Sequence, residues 1–414
     1  MTSKYTKDPS FYRGVGGGSR PLFVVCGLEE HRKRRAVLNP FFSRRQILKN
    51  EHIAQEKTDK IISRINQDTA CEAATNLTAE LRALSVDVFT SFAFGEENCF
   101  HLLDDHQARL WFDKRLQNTI RLFFMFKPAP WLEKPFLAMP EWLAQLVCPT
   151  VAEYKREQMV EAEAKVTDII QEIKSEPEAG RDTIYHTLLS PAYARAHKVL
   201  APSDIVREGS DMLNASENTA KALAVSAFGV MSNKSIYSKL HTELKMAFPC
   251  TEADLDFQTL ESLPYLTAVI KEGLRLSYGA LQPLPRTVPK GGETFNGVYL
   301  PEGTVVGLSN WMMHRNPAAF PKPDVFDPER WLDPQKNQYQ EEFFAPFSRG
   351  TYQCIGQTLA VCELYVAIGR LFWKFDDLVP WIEGVDGEKE RFQTISPQTD
   401  YMRYEVKRFH KHRR

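Results

Sequence analysis

Apolar and polar positions along this chain follow two periods. Over Val151–Glu176, "VAEYKREQMVEAEAKVTDIIQEIKSE", mixed charges surround apolar Val166, Ile169 and Ile170. Steps of three and one keep those three on one stripe, which predicts a surface helix. A longer run follows over Pro202–Asn233, opened by the helix-start triplet Pro202, Ser203 and Asp204. Ala, Leu, Val and Phe crowd its second half, so burial is expected. Roughly 30 residues at about 1.5 Å each make a rod about 45 Å long. Leu263, Leu266, Val269 and Ile270 mark the core side of another helix, and Ile355, Leu359, Cys362 and Val366 that of a last one. Between these two, from Leu281, the pattern changes. "LQPLPRTVPKGGETFNGVYLPEGTVVGL" mixes Pro, Gly and β-branched residues, which predicts short strands and hairpins. Irregular chain follows in "NPAAFPKPDVFDPERWLDP". No internal repeat and no low-complexity linker divides the sequence. The expectation is one mainly α domain over residues 1–414, with a small β region.

Composition narrows the classes. The 414 residues are 43% hydrophobic and 25% charged, enough to bury a large core. With 52 basic and 53 acidic side chains the net charge is -1, so the overall balance points to no nucleic-acid partner. The cysteines, Cys26, Cys71, Cys99, Cys148, Cys250, Cys354 and Cys362, are odd in number, and none forms a CxxC pair. That argues against a disulfide scaffold or a zinc site and for a reducing, cytosol-facing setting. The first twenty residues lack the apolar core of a signal peptide, and no run of about 18 apolar residues would span a bilayer. The run "GVGGG" (Gly14–Gly18) lacks a following Lys-Ser/Thr pair, so it reads as a connector rather than a phosphate loop.

One cysteine stands apart. In "FAPFSRGTYQCIGQTLA", Cys354 lies between Gly350 and Gly356, at the N-terminus of a helix. Helix-end N–H groups favour an anion there, hence a thiolate. The glycines allow a tight turn and close approach to a flat partner, and Phe347 is placed to keep water from the sulfur. Such a thiolate suits an axial ligand to haem iron. The plainer reading, a cysteine acting as a small buried hydrophobe, fits Cys362, which lacks the glycines.

Further motifs accompany it. In "KEGLRLS", Glu272 and Arg275 are three apart and share a helical face. On the surface such a pair is worth at most about 1 kcal/mol. "PLPRTVP" puts Arg286 in the strand region, where a guanidinium can grip a carboxylate with two hydrogen bonds. In "EEHRKRRAVLNPFFS", His31 and Arg35 are four apart on one helix. A solvated basic helix that docks an acidic partner is the alternative.

Together these motifs resemble the cytochromes P450, in the family's order, from about Lys4 to near the C-terminus. "FSRGTYQCIG" is similar to the family's haem-binding loop, and "HRKRRAVLNPFFS" to fungal microsomal members that oxidise secondary metabolites in the manner of trichodiene oxygenase. The resemblance implies haem b bound through the Cys354 thiolate, within a loop of Phe347, Gly350, Tyr352 and Gly356. It implies His31, Arg35 and Arg286 as partners of the haem propionates. It also implies a buried network of Glu272 and Arg275 with Arg330 of "FDPERW", where losing one member strands a buried charge at about 3–5 kcal/mol. Arg32, Lys33 and Arg34 are expected to face the electron donor.

The sequence departs from the family pattern in three places. Tyr352 stands where Arg or His is usual, and a phenol carries no positive charge at neutral pH. Weaker haem retention and a shifted iron potential are expected. In "NASENTA" (Asn214–Ala220), Glu217 takes the place of the family's relay acid, while Asn218 occupies the hydroxyl position and Thr219 follows, roughly 100° around the helix. Glu217 also reads as half of a structural ion pair, and Asn214-Ala215-Ser216 as a sequon left idle inside a helix. Finally, the chain begins near "KDPSFYRG", similar to the end of the family's N-terminal region, so the anchor, an early helix and some strands are expected to be lacking.

The implied activity is a monooxygenase that inserts one atom of O2 into an apolar small molecule, such as a fungal terpenoid. Electrons would come from NADPH–cytochrome P450 reductase on the endoplasmic reticulum membrane. Substrate would lie between Met212–Asn218 and the Ala280–Leu284 strand. The broken apolar stretch Arg121–Pro149 reads equally as a peripheral membrane contact or as core packing. Two alternatives stay open: a P450-fold isomerase, dehydratase or peroxygenase, and a truncated non-catalytic remnant.

Overall fold

The computed structural model describes residues 4–12, 21–126, 129–154, 163–176, 183–189, 202–250, 254–280, 283–382 and 406–408. The Gly14–Gly18 connector lies outside these residues, as do Leu281 and Gln282 of the expected substrate-side strand. Helix dominates the described residues, with a few short strands, as the polarity pattern predicts. The long run is one helix, Pro202–Met231. Its terminus stops short of Asn233, because that side chain instead accepts from the backbone N–H groups of Ser235 and Ile236 and opens the next helix, Lys234–Ala247. The Val151–Glu176 pattern is described as two helices, Pro149–Tyr154 and Glu163–Ser175. Val166, Ile169 and Ile170 are buried on the second.

The chain divides into two compact units. The first comprises Met1–Phe41, Phe89–Ala215 and Leu284–Gly307. It holds a three-stranded antiparallel sheet in the order Thr6–Lys7, Arg286–Thr287, Val305–Val306, with Lys7 opposite Arg286. Beside it in sequence lies the hairpin Glu293–Phe295 with Val298–Leu300. Asn296 and Gly297 form its turn at φ 46° and 80°. Positive φ at both positions is what a two-residue hairpin turn requires, and Asn-Gly adopts it at little cost. The expected strands of "TVPKGGETFNGVYLPEGTVV" thus exist, though each is only two or three residues long. Leu122, Phe126, Ala144, Val151 and Ala152 form a buried cluster in this unit.

The second unit comprises Phe42–Val88, Ser216–Pro283 and Leu308–Arg414. At its centre is the helix that follows the cysteine loop, Gln357–Lys374. It packs against Glu51–Ala70, Lys234–Ala247, Phe257–Glu261 and Pro264–Ser277. Val366, Ile368 and Leu371 of this helix are buried, as are Ile61, Leu240, Leu260 and Val269 of the helices around it. Full burial of side chains this size contributes about 1.5–3 kcal/mol each. Gly273 is required by proximity: a Cβ there would collide with Ser226 Oγ of the long helix. The absent side chain lets the Pro264–Ser277 helix lie directly against that rod.

Candidate functional site

Within the second unit, the cysteine loop is built by backbone hydrogen bonds. The Cys354 N–H donates to Phe347 O at 2.8 Å, and the Gln353 N–H to Gly350 O at 3.1 Å. Gly350 has φ 77° and starts a one-turn 3-10 helix, Gly350–Tyr352. Arg349 Nη2 donates to Phe344 O at 2.9 Å and also to Glu341 O. Cys354 is exposed, with Phe347 and Tyr352 half-buried. The following helix begins at Gln357, after the N-cap Gly356. Cys354 therefore precedes the helix by three residues instead of starting it. Its backbone is held by the loop, while the helix N-terminus points back toward the loop. Cys362 is buried on that helix, its thiol pushed well above the ordinary range by burial.

Behind this loop stands a fully buried carboxylate. Glu272 accepts from Arg275 Nε and Nη2 at 2.9 and 2.8 Å and from Arg330 Nε at 3.1 Å. Trp331 Nε1 and the Asp327 N–H also donate to it, both at 2.9 Å. Arg275 Nη1 reaches His314 O and Pro323 O at 2.8 and 2.7 Å. Two guanidiniums, one carboxylate and three loop carbonyls, Val325 O included, are thereby tied together with strong, charge-assisted geometry. His314 extends the tie, and nothing in the sequence singled it out. The Ala345 N–H donates to its Nε2 at 3.1 Å, so Nε2 is the acceptor. Nδ1 then carries the proton and donates to Arg275 O at 3.0 Å. This neutral ring joins the Glu272 helix to Ala345, two residues before Phe347. Burial lowers its pKa to about 4.

In the first unit, positive charges gather at the sheet. Arg286 Nη1 donates to Tyr12 Oη at 2.7 Å and to Leu284 O at 3.0 Å. Lys7, opposite it in register, is buried and donates to Leu22 O and Phe23 O at 3.1 and 2.7 Å. Burial first, then Arg286, lower the Lys7 pKa to about 7. His31 is buried on the Leu28–Leu38 helix, four residues before half-buried Arg35. Burial, then the charges of Lys7, Arg35 and Arg286, hold His31 down to about 3. Like charges collected in a half-buried place raise one another's energy, and an anionic ligand relieves that cost. Arg34 differs from expectation. It is buried and pairs with Glu208 and Asp204 at 3.4 and 3.5 Å, while Arg32 and Lys33 alone of that basic run stay exposed.

On the long helix, Ala215 and Asn218 are exposed, three apart on one face, and Thr219 is half-buried. Glu217 points elsewhere. Its carboxylate takes Arg82 Nε at 2.8 Å and Nη2 at 3.3 Å. The ion-pair reading of Glu217 thus has its partner, one that no local spacing reveals. Asn214 Oδ1 accepts from buried Arg115 at 3.1 Å, which gives the sequon asparagine a packing role.

The residues present fit a haem. Cys354 offers a soft anionic donor from a loop with a left-handed glycine. Within the first unit, the guanidiniums of Arg35 and Arg286 offer positive charge to carboxylates such as propionates, and the neutral ring of His31 lies with them. Among the described residues no helix is long and apolar enough to cross a membrane.

Known proteins agree with that chemistry. The family model described as cytochrome P450 matches residues 2–398. The P450 monooxygenase macH of Penicillium terrestre is 32% identical over 91% of this chain and 74% of its own length. The N-acetyltryptophan 6-hydroxylase ivoC of Emericella nidulans is 30% identical over 90% of this chain and 76% of its own. TRI4 of Trichoderma arundinaceum, a P450 monooxygenase, is 28% identical over 90% and 71%. The crystal structure of CYP102L1 superposes with a TM-score of 0.72 at 20% identity, over 92% of this chain and 80% of that one. The chain belongs to the cytochrome P450 family, as a monooxygenase-type oxidoreductase related to the fungal enzymes of secondary metabolism.

Proposed function

We propose that the chain works as a single haem domain that hydroxylates or epoxidises an apolar small molecule, such as a fungal terpenoid, with one atom of O2. NADPH–cytochrome P450 reductase supplies the electrons, at the face of the endoplasmic reticulum membrane. The observation that carries this is the exposed Cys354, held at the end of a loop anchored to the buried Glu272 network. When bound, a haem with a thiolate ligand supplies the activation of dioxygen. The protein supplies the rest. Cys354 ligates the iron, and Gly350 and Gly356 keep its loop tight. Arg286 and Arg35 neutralise the propionates, and His31 helps to orient them. Glu272, Arg275 and Arg330, with Trp331 and His314, keep the loop from shifting when charge builds on the sulfur. Tyr352 leaves one cation out of this set, so retention of the group is weaker, and Tyr352→Arg strengthens it.

Proton delivery falls to the Ala215–Asn218 face of the long helix. Asn218 Oδ1 and Nδ2 can hold a water there, and Thr219 offers a hydroxyl beside it. Glu217 serves as relay acid only when its bond to Arg82 opens. That bond favours, as a second reading, a P450-fold enzyme that does not activate O2: an isomerase, a dehydratase or a peroxide-driven oxygenase. Two measurements decide. The reduced carbon-monoxide complex of the wild type carries the long-wavelength Soret band of a thiolate-ligated haem, and Cys354→Ser loses it. Product formed under 18O2 with reductase and a terpenoid substrate carries the label; unlabelled product sinks the oxygen-insertion reading and supports the second one.

A further inference from the structure

The connection between the Leu77–Phe94 helix and the His106–Phe126 helix brings three different metal-ligating side chains together. The ligand atoms of Glu96, Cys99 and His101 all lie within 4.8 Å of one another. They come from six consecutive positions in the first unit, with Glu96 exposed, Cys99 buried and His101 half-buried. The backbone is shaped to gather them. A 3-10 turn spans Glu96–Asn98, and the Cys99 N–H donates to Glu96 O at 3.1 Å. His101 has φ 52°, a left-handed conformation that histidine, with Asn and Asp, adopts more readily than most side chains. The turn folds His101 back toward Cys99, so that its N–H donates to Cys99 Sγ at 3.4 Å. Thr90 Oγ1 donates to the same sulfur at 3.5 Å. Two donors thus converge on one sulfur, and the thiolate form of such a sulfur is the one that binds metals. Beyond the ring, Asp104 Oδ2 stands 3.8 Å from His101 Nδ1. At that distance the carboxylate is close enough to orient a ligating imidazole by charge.

We propose that Glu96, Cys99 and His101 form a binding site for a zinc-class divalent cation, separate from the haem. The donor set selects the metal. A thiolate with an imidazole suits borderline-soft zinc and rejects magnesium and calcium, which seek all-oxygen shells. Three protein ligands leave a fourth tetrahedral position to water. Asp104 acts through His101 as a positioning residue. The metal pins the connection between the two helices, closing a loop whose sulfur is already turned toward the site. A cysteine that was only a small core hydrophobe would need neither an imidazole nor a carboxylate gathered at its sulfur.

The test uses the full-length haem-loaded protein, stripped with a chelator, dialysed against zinc chloride and desalted. Metal content is then measured by plasma emission. About one zinc per chain is expected in the wild type, with magnesium and calcium not retained. Glu96→Gln and His101→Asn lose that zinc, and Asp104→Asn binds it roughly tenfold more weakly. Asparagine tolerates the left-handed conformation at 101, and position 96 is exposed, so both variants fold. Cys71→Ser, which removes an exposed thiol elsewhere, keeps the zinc. Equal zinc in the wild type, Glu96→Gln and His101→Asn overturns the proposal, as does preferential retention of calcium.

Discussion

His314 illustrates how a single ring can serve a site it does not touch. Its two nitrogens are committed to opposite roles, one accepting from Ala345 and the other donating to Arg275 O. Protonation removes the acceptor and puts a cation beside the Arg275 guanidinium. Its pKa is about 4 in the folded chain and near 6.5 when unfolded. Between those values the unfolded chain binds a proton that the folded chain refuses, so stability is lost as pH falls below about 6.5. The loss is at most about 1.4 kcal/mol per pH unit. His314→Gln, which keeps an acceptor and a donor, is expected to start lower but to show a flatter fall in melting temperature from pH 7 to pH 5. Parallel curves would dismiss the idea. At this scale the sequence was partly legible. Glu272 and Arg275 announce themselves by a spacing of three. Arg82 and His314 do not, because they meet Glu217 and Arg275 across 135 and 39 residues of chain.

Among helices, polarity patterns predicted the long rods well and the joints between elements poorly. Burial of Val166, Ile169 and Ile170, and of Cys362 and Val366, follows from their periodicity alone. The start of the helix after Cys354 does not, because backbone hydrogen bonds within the loop, not apolar spacing, decide where that helix opens. A polar tie between elements was equally hidden. Glu363 is fully enclosed on the Gln357–Lys374 helix, and burial raises its pKa to about 8, with Ser85 as hydrogen-bond partner. Ser85 Oγ also donates to Ser216 O at 3.0 Å. The Ser85 contact pulls the Glu363 pKa down, but burial outweighs it and keeps the carboxyl group protonated. The folded chain holds this proton while the unfolded chain, near 4.5, releases it. The associated stability is complete below about pH 4.5 and is lost as pH rises through 8. Thermal unfolding across pH 5–9 should show a decline in the wild type that Glu363→Gln, which stays neutral at any pH, abolishes. A decline persisting in the variant would assign it to other groups.

For the molecule as a whole, net charge near zero leaves binding to local patches. One set of exposed apolar residues lies on the segment between Arg121 and Pro149, which the sequence left open between core and membrane. The segment is buried in part and exposed in part: Leu122, Phe126 and Ala144 are buried, while Trp131, Trp142 and Leu146 are 74%, 72% and 79% exposed. Exposed tryptophans of this kind favour a lipid–water interface. The full-length protein is expected to float with phosphatidylcholine vesicles, and Trp131→Ser with Trp142→Ser to lower the bound fraction several-fold at unchanged haem content. Equal flotation would assign the patch another purpose. Fold and family were readable at this scale because the motifs arrive in fixed order. Which faces stay wet was not, because solvent exposure is a property of the assembled chain.

The left-handed turn at Gly350 carries one more consequence. A Cβ at that position would meet nothing within 4 Å, so what bars other residues is torsion, not crowding. Diversity there should be bounded by backbone handedness rather than by volume. In a saturation library screened for pigment, asparagine and aspartate should survive best after glycine, and small alanine should fare no better than bulky leucine.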